Sequence, residues 1–121
     1  MYTDFTQMPV WKHAMDIAVK VFEISKSLPK KEDYALTSQI RRAAESISSN
    51  IFEGFGRGGD QEKIIFYRFS RGSANETKKH LIYGTFVKYF EEQQSSAIIS
   101  KIKDLVHELN KIIKTIENKG K

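Results

Sequence analysis

Almost from end to end, the apolar residues of this chain recur at steps of three and four, and only two prolines interrupt them. That period belongs to amphipathic helices; no segment alternates at every second residue as a half-buried strand does. Val10, Ala14, Ile17, Val21, Ile24 and Leu28 form a first stripe, widened by Trp11, Met15, Ala18 and Phe22. Pro9 suits a first helical turn and Pro29 ends the run, which predicts a helix over 9–28. After the polar "PKKED", Leu36, Ile40, Ala43, Ile47, Asn50 and Ile51 predict a second helix over 34–54. Asp60 can cap a third, in which Ile65, Phe69, Gly72, Glu76, His80, Tyr83, Val87 and Phe90 share one face over 60–91. "EEQQSS" reads as a break, and Ile98, Ile102, Leu105, Leu109, Ile112 and Ile116 then predict a fourth helix over 96–117. Short polar connections between four such helices predict an all-α fold: an antiparallel up-down-up-down four-helix bundle with a long third helix, one domain over 1–121.

A chain of 121 residues buries roughly 65% of its unfolded surface without covalent staples. It has no cysteine, so thiolate metal sites, disulfides and thiol nucleophiles are excluded. No apolar run approaches the roughly 18–20 residues a membrane helix needs, and "MYTDFTQMPVW" lacks the basic and apolar regions of a signal peptide. A soluble, cytoplasmic protein with no membrane role is the expectation. Net charge is +5, and residues 93–121 hold six lysines against three acidic residues, a mild attraction for polyanions.

The run Gly54-Phe55-Gly56-Arg57-Gly58-Gly59 spells G-x-G-x-x-G. A dinucleotide loop needs a strand before it, and none is predicted here. Gly54 and Gly56 therefore read as left-handed caps ending the second helix, and Gly58-Gly59 as the turn into the third. Folding the two helices back about residue 58 brings Ala43 and Ala44 opposite Gly72 and Ser73, a close contact of small residues. The same register sets Arg41 and Arg42 level with Glu76, which lies on the apolar stripe and requires a partner if buried. With Asn50, Glu53 and Ser73 these make either a catalytic pocket or a buried polar network that holds helix register, and the network is the preferred reading.

"QIRRAAESISSNIFEGFGR", followed by Glu62, Phe66 and "RGSANE" at 71–76, resembles the family of four-helix-bundle proteins encoded in intervening sequences of bacterial 23S rRNA genes. The likeness covers nearly the whole chain and is specific in the central fifty residues. Its usual "RRAAxSIPSNIAEGxGR" is met from Arg41 to Arg57 except at two positions: Ser48 stands where proline is usual, and Phe52 where alanine is usual. The resemblance implies a bundle related to the accessory protein of diversity-generating retroelements, a ring-like homopentamer that binds nucleic acid and a reverse transcriptase. It implies no catalytic residue and no cofactor.

The residues themselves leave two surface readings open. Leu81, Ile82, Phe86 and Tyr89 on the third helix, with Ile99, Val106 and Ile113 on the fourth, lie beside the predicted core stripes. They are either oligomer contacts or the edge of a broad core face. Arg68, Arg71, Asn75 and Lys78, with Lys79, form a basic stripe opposite the third helix's apolar face; Arg57 and Lys63 lie near the turn, and Tyr67 offers a ring for base stacking. That stripe is either a solvated face or a phosphate-binding one, and the lysines of the fourth helix are a further candidate set. Asp104-x-x-His107 and Glu76-x-x-x-His80 are the nearest approach to metal spacing and fall short of the paired motifs of a di-iron bundle. No nucleophile and base are paired. The expectation is a homo-oligomer, pentameric by resemblance, acting without catalysis, metal or cofactor as an RNA- or DNA-associated accessory protein. The alternative is a scaffold that binds a protein partner.

Overall fold

The computed structural model describes residues 2–119 and contains four long helices: α1 (Pro9–Ser25), α2 (Leu36–Gly56), α3 (Asp60–Phe86) and α4 (Glu92–Asn118). Short 3-10 turns, Phe5–Gln7 and Lys30–Glu32, precede α1 and α2. Packing runs α1 to α2 to α3 to α4 and back to α1, the closed order of an up-down-up-down bundle, and the α2–α3 contact is the most extensive. One apolar core runs through it. Val10, Ala14, Ile17, Val21 and Ile24 enter from α1, and Leu36, Ile40, Ala44, Ile47 and Ile51 from α2, as their periodicity predicts. From α4 come Ile98, Ile102, Leu105, Leu109 and Ile113; the stripe continues from Leu109 to Ile113, while Ile112 and Ile116 are only partly buried against it.

Helix α3 is rotated from the orientation its large apolar residues predict. Its buried face is Ile64, Tyr67, Ser70, Ala74, Thr77, His80, Leu81 and Gly84. Ile65, Phe69, Tyr83 and Val87 are exposed, and of the predicted stripe only His80 and Phe90 are buried. The cause is the small-residue seam toward α2. Ser70 Oγ donates to the Ile47 carbonyl at 2.8 Å in a buried contact, and Ser73 Oγ donates to Ser46 Oγ at 2.9 Å. The register agrees with folding back near residue 58, but Ser70 and Ala74 fill the contact assigned to Gly72, which is exposed.

The predicted buried network survives in part. Asn50 Nδ2 donates to the Ser46 carbonyl and hydroxyl at 2.9 and 3.0 Å, joining Ser73 across the seam. Glu76 is not in it: its side chain is 53% exposed and its only ion-pair partner among the described residues is His80, at 3.7 Å. Arg42 is exposed and reaches Ser38 Oγ at 3.4 Å. Arg41 Nε donates to Ser25 Oγ at 2.7 Å, and its guanidinium lies 4.5 Å from the Phe22 ring centre. Glu53 pairs with Arg57 one turn later. With α3 turned, Glu76 faces solvent, so neither arginine is required to neutralise it.

Helix ends also differ from expectation. No described glycine has positive φ. Gly54 and Gly56 are helical, and α2 runs on to Gly56. Gly54 is required for another reason: a Cβ there would stand 2.7 Å from the Tyr67 ring, which packs against this position. The cap of α3 is Gly59, with Asp60 and Glu62 in the first turn, where carboxylates favour the helix dipole. Helix α1 stops at Ser25, whose hydroxyl bonds back to Phe22, and Leu28 N donates to the Ser25 carbonyl in a tightened turn. Helix α3 ends at Phe86, five residues early, so α3 and α4 are equal at 27 residues. Lys88 takes φ 70°, and Tyr89 and Phe90 both donate to the Gly84 carbonyl. Phe90 then covers Gly84, and "EEQQSS" opens α4.

This reversal predicts two opposite effects within five residues. Gly84→Ala places a methyl 2.3 Å from the Phe90 ring, and a loss of about 2 kcal/mol is expected. Lys88→Gly relieves the left-handed backbone and gains about 0.5–1 kcal/mol. Thermal unfolding reads both, at roughly 4 °C per kcal/mol. Burial holds the His80 imidazole below its ordinary value; repulsion from Lys79 adds to this and Glu76 opposes it. The unfolded chain therefore binds the proton first, and stability present above about pH 6.5 is lost as pH falls below it. His80→Gln should show a smaller fall of thermal midpoint between pH 7.5 and 5.5 than the parent protein, about the unfolded histidine value.

Candidate nucleic-acid interface

Two ties set α3 against α4 on the outer side of the bundle. Arg68 donates to Glu117 at 3.1 Å, and Arg71 donates to Asn110 Oδ1 at 2.7 Å. Between them lies an open polar groove of about 700 Å3 lined by Arg68, Arg71, Asn110, Lys114, Glu117 and Asn118, with Ile113 at its base. Extending the antiparallel register brings Asn75 and Lys78 of α3 level with His107 and Lys103 of α4, since residues seven apart stay on one helix face. By this register Lys78 and Lys103 extend the line begun by Arg68, Arg71 and Lys114, over about 15 Å of helix. Glu117 is the one acid among the residues lining the groove. No ion pair or hydrogen bond engages the Lys78, Lys103 or Lys114 side chain among the described residues. The Arg68–Glu117 pair is about half exposed on both sides, and such pairs contribute under about 1 kcal/mol. A phosphate can displace Glu117 at little cost.

Other members of the predicted basic set stand elsewhere. Tyr67 is 3% exposed, its ring held against Gly54, so it is a core residue and presents no face to a base. Lys63 Nζ donates to the carbonyls of Gly54 and Phe55 at 3.1 and 2.9 Å, capping the end of α2. Arg57 pairs with Glu53 at 3.1 Å and stacks over Phe66 at 4.4 Å. Lys79 is exposed but borders a separate small cleft with Glu32, Gln39 and His80, on the α2 side. The α4 half of the groove, Lys103, Asn110 and Lys114, was visible in the sequence only as a lysine-rich helix.

The predicted oligomer contacts divide similarly. Leu81 is fully buried and Ile113 is buried. Ile99 and Val106 pack against the core, and Tyr89 is half-buried with its hydroxyl on Glu32 at 2.9 Å. Only Ile82 and Phe86 are exposed, Phe86 at 81%. A larger apolar surface lies elsewhere, in a groove of about 740 Å3 between α1 and α2. Met15, Val19, Phe22 and Phe52 are exposed along it, and Phe5 closes one end, edge-on to Trp11 and Phe52. No described helix is long and apolar enough to cross a membrane.

Lys63→Met tests the structural role of this lysine. It should lower stability by about 1 kcal/mol through the lost cap, as measured by thermal unfolding.

Comparison with known proteins agrees with this architecture. A solved structure from Bacteroides thetaiotaomicron VPI-5482, a protein of unknown function from the S23 ribosomal protein family, superposes with a TM-score of 0.80 at 24% identity, covering 87% of this chain and 98% of its own. At that identity the likeness shows the fold. No curated protein sequence matches. The model of the family described as 23S rRNA-intervening sequence protein matches residues 6–111, and the chain belongs to that family.

Proposed function

We propose that the protein is a cytoplasmic, non-enzymatic, homo-oligomeric accessory protein that binds RNA or DNA along the α3–α4 groove. One observation carries this reading. Arg68, Arg71 and Lys114, from two helices, line a single open groove whose one lining acid, Glu117, is weakly held, and the helical register continues it toward Lys78 and Lys103. The groove offers phosphates arginine, lysine and asparagine side chains and gives bases no aromatic platform, so binding there rests on the nucleic-acid backbone. The family's description, tied to an intervening sequence of 23S rRNA, favours RNA as the first polymer to test. A ring of copies, five by the resemblance to the retroelement accessory protein, repeats the groove and joins weak contacts into useful affinity. The scaffold reading retains one specific support, the apolar α1–α2 groove, which offers a protein rather than a phosphate contact.

Arg68, Arg71, Lys103 and Lys114 are all surface residues, so changing the four to glutamine should leave the fold intact. Anisotropy with single-stranded RNA across a salt series should then show weaker binding. The slope of log affinity against log salt should fall by about 0.7 per lost contact, with little dependence on base sequence. A folded variant that binds as tightly as its parent excludes the groove. A parent protein with no affinity at micromolar concentration and low salt favours the scaffold.

A further inference from the structure

The exposed face of α3 and the groove between α1 and α2 have matching patterns. Along α2 the groove presents Arg41, Glu45, Ser48, Ser49 and Phe52. Along the outward face of α3 lie Glu76, Gly72, Phe69 and Ile65, all exposed. Both series step by four, seven and eleven residues, about 16 Å from end to end. Laid antiparallel, α3 of a second molecule sets Glu76 over Arg41, Gly72 over Glu45, Phe69 over the Ser48–Ser49 gap, and Ile65 over Phe52. Large meets small in the middle, and apolar meets apolar at one end. Charge meets opposite charge at the other.

Both charges lack an adequate partner within one molecule. Arg41 is half-buried at the groove's edge and has no carboxylate within ion-pair distance among the described residues; it rests on Ser25 and the Phe22 ring. Glu76 has only the neutral-leaning His80, at 3.7 Å. We propose that the α1–α2 groove of one copy receives the Ile65–Phe69–Glu76 face of α3 from the next, with Arg41 and Glu76 paired across the boundary. The contact uses two different faces of each molecule, so repeating it produces a ring when the rotation closes. It rests on the oligomeric part of the function proposed above and names its contact. The basic α3–α4 groove lies outside it.

Arg41→Glu and Glu76→Arg, each alone, bring like charges together and should shift sedimentation from assembly to monomer with helical content retained. The double variant R41E/E76R restores opposite charges and should reassemble. Phe69→Lys should dissociate the assembly without rescue. If Arg41→Glu fails to fold, the solvent-face variants Glu76→Arg and Phe69→Lys decide, since both must dissociate the protein. An assembly that survives either of these, or single variants that the double reversal does not rescue, overturns the contact and leaves the oligomer standing. A parent protein that is monomeric at about 100 μM overturns the contact and the oligomer together, while RNA affinity tests the other half of the function separately.

Discussion

The close approach of α2 and α3 governs the rest of this bundle. Ser70, Ala74 and Thr77 are small enough to let the helices meet nearly backbone to backbone, and the Ser70 hydroxyl bonds to the Ile47 carbonyl inside the seam. Each isoleucine or leucine buried elsewhere contributes about 2–3 kcal/mol through transfer from water. The seam gains less from transfer and more from dense contact, which a larger side chain would abolish. Turning small residues inward turns large ones outward. Ile65, Phe69 and Tyr83 are exposed because Ser70, Ala74 and Thr77 are not.

Where a helix had one apolar face, its role was legible in the sequence. The stripes of α1, α2 and the first turns of α4 are buried as their spacing implies. In α3 two faces compete, one of large apolar residues and one of small and polar residues, and hydrophobicity favours the wrong one. The small residues are recognisable as a contact, but of the α3 pair assigned to it only Ser73 meets α2, through Ser46, while Gly72 is exposed. Tyr67 was misplaced with the same rotation: it sits beside Arg68 in sequence, and its burial depends on Gly54, thirteen residues earlier. Lys63 reaches back across the turn to the last carbonyls of α2, a tie that no local pattern announces. The end of α3 was hidden because a lysine, not a glycine, takes the left-handed position.

Electrostatics distinguishes the surface cations that sequence treats alike. The charge of Lys63 is committed to two carbonyls, and Arg57 is held between Glu53 and the Phe66 ring. Removing either group would leave acceptors or a carboxylate without its partner. The cations of the α3–α4 groove are free or weakly held, so pairing them with another anion would not first dismantle structure. The same criterion, a charge without an opposite partner of its own, identifies Glu76 on the outward face of α3 and Arg41 at the edge of the α1–α2 groove.

Ser48 and Phe52, the two departures from the family's usual central motif, both line the α1–α2 groove. Phe52 extends its apolar wall and stacks edge-on against Phe5, fixing the N-terminal 3-10 turn over the groove's end. Alanine there would leave Phe5 without that ring. Ser48 replaces an imino acid with a residue whose amide continues the helix and whose hydroxyl bonds to the Glu45 carbonyl, so α2 runs unbroken along the groove wall. A helix seated in this groove therefore meets a shape particular to this chain. Under the proposed function, phosphates in the α3–α4 groove would meet arginine, lysine and asparagine side chains and no base-reading surface, an arrangement that tolerates many sequences. The two proposed contacts thus fall on separate faces, and the α2–α3 seam that turns α3 outward supplies a helix to both.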